Sequence, residues 1–113
     1  MPITNAKMKE HSFLAEMYDD DYFPDFLVDK CKGILVHLCE QIETSKPSDT
    51  DSLFKLTHAA VDGINKLETE FEENDSELET GAREALAEDF GQILDAYGFG
   101  DADLEDAIAN RDW

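Results

Sequence analysis

Leu53, Leu56, Ala60, Ile64, Leu67 and Phe71 follow one another at steps of three and four residues. On a helix of 3.6 residues per turn that spacing puts all six on one face, which must be buried against something else. A second stripe, Leu27, Cys31, Ile34, Leu35, Leu38 and Ile42, has the same period. No alternation of apolar and polar residues longer than about four positions occurs, so strands are not expected. Between the stripes, "TSKPSDTDS" interrupts the helix at Pro47 and offers Ser48 or Asp49 as the next N-cap. Gly63 weakens its helix by about 1 kcal/mol relative to alanine, and close packing of a neighbour is the expected reason for it.

The same reading extends to the rest of the chain. A first helix is expected from about Asn5 to Tyr18, with Met8, Phe13, Leu14 and Met17 as a short apolar stripe ending at the aspartates. Pro24 fits the first turn of the next helix, where its missing N–H costs nothing, and Asp21 or Asp25 supplies acid to the positive helix end. Ser76 followed by Glu79 matches a capping box. It opens a fourth helix carrying Leu78, Ala82, Leu86, Phe90, Ile93, Leu94 and Tyr97, with Gly98 and Gly100 at its C-cap. Asp101 or Asp103 starts a short fifth helix through Leu104, Ala107 and Ile108, ending near Asn110. The expected fold class is all-α: a single domain over residues 1–113, built as a bundle of four to five antiparallel helices. For this mass, area scaling gives a folded surface of roughly 6,200 Å², with about two-thirds of the unfolded surface buried.

Charge decides which partners are compatible with such a bundle. Against 28 acidic residues stand 9 basic ones, a net charge of −19. The 42% hydrophobic content, placed at helical spacing, argues against disorder. The charge favours a soluble monomer and repels nucleic acid and anionic membrane. No run of about 18 apolar residues exists, and "MPITNAKMKEHSF" has no continuous apolar segment of the signal-peptide kind, so the cytoplasm is the expected compartment. Cys31 and Cys39 are eight residues apart on one helix, roughly 12 Å at 1.5 Å per residue. That exceeds the ~7 Å a disulfide tolerates, so both are expected as buried reduced thiols.

The motifs of catalysis and metal binding are mostly missing. His11, His37 and His58 fall in different helices, and the third residue before each is Met8, Ile34 or Lys55. The Glu-x-x-His pattern of di-iron bundles is therefore not formed. The spacing in "CKGILVHLC" is not a structural-zinc knuckle. Asp101, Asp103 and Glu105 alternate like the first ligands of a calcium loop, but Asp106 stands where glycine is needed and Asp112 where glutamate is needed. "YGFGD" follows a helix, opposite to the order of a dinucleotide fingerprint. No metal or cofactor is expected.

Acidic clusters are what remains. "ETEFEENDSELE" puts Glu70, Glu72 and Glu73 at the negative end of the third helix, where acids are locally unfavourable. A placement that opposes local stability is where function is worth seeking. "MYDDDYFPDF" sets Asp19, Asp20 and Asp21 between Tyr18 and Tyr22. Capping explains one or two of those aspartates, and the surplus suits docking on a basic protein surface, with rings for contact and acids for steering. The candidate partner-binding residues are Tyr18, Asp19, Asp20, Asp21, Tyr22, Glu70, Glu72 and Glu73.

The segments "FLAEMYDDDYFPDFLVDKCKGIL", "EFEENDSELETGARE" and "DAYGFGDADLEDAIANRDW" resemble a family of small acidic bacterial proteins catalogued as a domain of unknown function. The resemblance runs from about Phe13 to Trp113, with "YDDDYFP" and "RDW" its specific parts. It implies a bacterial cytosolic origin and adds nothing about mechanism. The expectation is a non-enzymatic interaction module, of inhibitor or immunity type, that covers a basic surface. The alternatives are a small enzyme or metal-dependent module using His37, Cys39 and nearby acids, and an accessory subunit of a larger assembly.

Overall fold

The computed structural model describes residues 3–113, so only the first two residues of the expected domain lie outside the described residues. Among the described residues six helical segments follow in order: α1 (Ala6–Glu10), α2 (Ala15–Tyr18), α3 (Asp25–Ser45), α4 (Thr50–Glu73), α5 (Thr80–Ala96) and α6 (Leu104–Ala107). No strand occurs among the described residues, and the fold is the expected all-α bundle. The accessible surface is 6261 Å², close to the area-scaling value.

The two stripes meet in an α3–α4 hairpin. Lys46 turns the chain in the left-handed region at φ 48, its N–H returning to Ile42 O at 2.8 Å. Asp49 then caps α4 by accepting from Ser52 N at 2.8 Å. A 24-residue helix is about 36 Å long, so α4 spans most of the 41 Å long axis. Leu35 and Leu38 from α3, Ile64 and Phe71 from α4, and Leu86, Phe90 and Ile93 from α5 are fully buried. The short helices α1, α2 and α6 pack on α5. Pro24 precedes α3 as its N-cap, Asp103 caps α6, and Gly98 takes φ 85 just beyond α5. Cys31 and Cys39 are free and wholly buried, and burial pushes both thiols up to about 12.

Gly63 is a point of close packing, as expected: a Cβ built there would stand 3.2 Å from Ile34 Cδ1. Gly33, in the middle of α3, differs, because a Cβ there meets nothing within 4 Å. Gly33→Ala is therefore expected to stabilise the protein by about 0.4–1 kcal/mol, and Gly63→Ala by less, since Ile34 must yield. Paired urea titrations check this; a Gly33→Ala midpoint at or below wild type contradicts it.

Two local expectations are corrected. The first predicted helix is split, with His11 extended and Leu14 left-handed at φ 55. The cause is Asp89 of α5, whose carboxylate accepts from Leu14 N at 2.8 Å and lies 2.8 Å from His11 Nε2. The Ser76/Glu79 capping box does not form. Ser76 N donates to Phe71 O at 2.8 Å, its Oγ is buried without a partner, and α5 begins at Thr80 with no side-chain cap. Leu78 consequently lies before the helix, partly buried.

Candidate functional site

The aspartate run is folded by its own backbone. Asp20 Oδ1 accepts from Tyr22 N at 2.9 Å and Asp20 O accepts from Phe23 N at 3.1 Å, closing a tight turn. That turn drives Phe23 inward, 3% exposed, where it meets Phe71 edge to face with centroids 6.4 Å apart. Tyr22 packs on Phe23 at 5.2 Å, in the same T-shaped manner. Phe71 belongs to the last turn of α4, so the loop is pinned to the α4–α5 junction.

At that junction Asp75 adopts φ 58 and the chain reverses. Desolvation first, then the negative charges of Glu77 and Glu79, push the Tyr22 phenol upward. The two acidic clusters singled out in the sequence thus share one end of the bundle. Asp19, Asp20, Asp21, Glu72 and Glu73 are exposed there. So are Tyr22 at 40% and Phe26 at 52%, the exposed large hydrophobic residues of the described chain.

Two of the expected residues are otherwise engaged. Tyr18 is partly buried and donates to Asp29; burial, then that hydrogen bond, raises its phenol to about 12. Glu70 pairs with Lys30 of α3. The His37 and Cys39 side chains do not meet. The His37 ring is 68% exposed with Nδ1 4.0 Å from Glu40 Oε1, whereas Cys39 is buried with a protonated thiol. His58 Nε2 lies 2.8 Å from Asp106 O, which links α4 to α6. Among the described residues no group of three or more His, Cys, Asp or Glu side chains is placed to hold a metal ion.

Three features escaped the sequence reading. Asp89 has a visible signal, since it interrupts the apolar face between Leu86 and Phe90 and is 5% exposed. Glu43 gathers Thr4, Asn5 and Tyr97 around its carboxylate, with nothing in its neighbourhood to announce this. Glu68 and Trp113 share the wall of a polar pocket with Glu72, Glu77 and Asp112.

No described helix is long and apolar enough to cross a membrane. No curated protein and no solved structure matches the chain significantly. Residues 7–113 match the model of a family of unknown function (DUF5713), and with nearly its whole length covered the chain belongs to that family.

Proposed function

We propose that this is a non-enzymatic interaction module, of inhibitor or immunity type in a bacterial cytoplasm, that covers a basic surface of a partner protein. The observation carrying this reading is the Phe23–Phe71 contact, which fastens the aspartate turn to the α4–α5 junction and leaves Tyr22 and Phe26 exposed among acids. Exposed rings supply contact area, and a field of one sign speeds encounter with a surface of the other. Glu72 and Glu73 at the C-terminal end of α4, whose own last turn carries no basic residue, suit binding better than folding. Nothing in the placement of His37 and Cys39 favours the enzyme or metal-module alternative.

The test uses a basic partner captured from bacterial lysate at low salt and released at high salt, then titrated in pure form. Asp19→Asn with Asp20→Asn, and Glu72→Gln with Glu73→Gln, are expected to change stability by under about 0.5 kcal/mol. Both should slow association and flatten its salt dependence. Tyr22→Ala with Phe26→Ala should instead speed dissociation. Unchanged association in the two acid-to-amide variants together with unchanged dissociation in the ring variant sinks the proposal.

A further inference from the structure

The acidic face shares Glu72 and Glu77 with a polar pocket of about 260 Å³ that also carries Glu68, Asp112, Arg83 and Trp113 on its walls. Two buried polar atoms of those wall residues have no hydrogen-bond partner, Glu68 Oε1 and Trp113 Nε1. Trp113 is only 8% exposed, and its ring is fixed by stacking on Phe90 at 6.5 Å and by the Arg111 guanidinium 5.9 Å from its centroid. A held donor without an acceptor is uncommon in a native interior and unfavourable there.

The carboxylates are also short of positive charge. Burial first, then the charges of Asp112 and Glu72, raise the Glu68 carboxyl above its ordinary range. Arg83 offers little relief, because its Nη2 donates to Thr80 Oγ1 at 3.3 Å and it forms no ion pair among the described residues. The pocket therefore sets four carboxylates against the single cation Arg83, and its indole N–H has no acceptor in place. A bare metal ion would leave the N–H unmet, and a water molecule would bring no charge.

We infer that this pocket receives one basic side chain of a partner protein, arginine above lysine. The cationic head meets Glu68 and the neighbouring carboxylates, while the main-chain carbonyl of the same residue accepts from Trp113 Nε1. The guanidinium is preferred because its planar fork donates to several carboxylates at once. This deepens the docking reading and rests on it, since it names the anchor residue that the basic surface would present.

Trp113 is the only tryptophan in the chain, so its indole N–H resonance reports on the pocket alone. The full chain is titrated with N-acetyl-arginine N-methylamide, with the uncharged citrulline analogue, and with magnesium and calcium chloride. A saturable shift with the arginine compound alone is expected, weakened about tenfold, or about 1.4 kcal/mol, in Glu68→Gln. Should Glu68→Gln fail to fold, the exposed Glu77→Gln gives the same comparison. An unmoved indole signal, an equal response to citrulline, or a response to the metal ions without one to arginine overturns the inference. The Asp19→Asn, Asp20→Asn variant should bind the arginine compound like wild type. If it also docks the partner like wild type, the face reading is at fault. If the partner docks while the indole stays silent, the pocket is at fault.

Discussion

Phe71→Ala is expected to remove about 3–5 kcal/mol of stability, the largest loss from any single truncation near the acidic face. Phe71 is 0% exposed and ends the longest apolar stripe. Truncation forfeits its transfer from water, leaves a cavity, and deletes the edge-to-face pair with Phe23, itself worth about 0.5–1.5 kcal/mol. A domain of this size has only about 5–15 kcal/mol in total, so the variant should be close to unfolding at 37 °C. Because Phe23 rests on that ring, amide exchange in the aspartate turn should accelerate more than in α3. A urea-derived loss below about 2 kcal/mol, or a turn as protected as before, contradicts this account of the site.

Glu43→Ala is expected to cost about 1–2 kcal/mol at neutral pH, solvent screening part of its interactions, and much less in acid. The Glu43 carboxylate accepts from Thr4 N at 2.9 Å, Thr4 Oγ1 at 2.8 Å, Asn5 N at 3.1 Å and the Tyr97 hydroxyl. Burial alone would raise this carboxyl, but the hydrogen bonds prevail and hold it at about 2, below its ordinary 4.5. A folded-state pKa below the unfolded one stabilises above about pH 4.5, and the contribution disappears as pH falls through about 2. Denaturation of wild type and variant at pH 7 and near pH 2 checks the sign. An equal deficit at both pH values shows that the carboxylate's charge is not what matters.

Those two residues mark what the sequence could disclose. Phe71 was legible because its neighbours on the helix face lie three and four positions away, within reach of a periodicity argument. The same holds for the α3 and α4 stripes, the Asp49 cap and the tight spot at Gly63. Glu43 was not legible, since its partners lie 38 to 54 residues away and no short-range pattern encodes them. The predicted Asn5–Tyr18 helix failed for the same reason: its apolar spacing is sound, but a distant Asp89 claims the Leu14 N–H that a helix would use. The capping box failed locally, because Phe71 O outcompetes Glu79 for the Ser76 end of the junction. Within the site, the acids and rings were readable as separate clusters. Their union was not, because it depends on a ring contact between Phe23 and Phe71.

The Asp89 clamp sets an order of events during synthesis. The segment before α3 leaves the ribosome ahead of α3, α4 and α5, yet its fasteners include Glu43 and Asp89, the latter 75 residues beyond Leu14. Until α5 has been translated, the Leu14 N–H has no Asp89 carboxylate to meet, and α1 and α2 lack the helix on which both pack. Long-range closure of this kind is slow relative to the local α3–α4 hairpin. The hairpin is thus positioned to nucleate, and the α1–α2 segment to be the last of these elements fastened down.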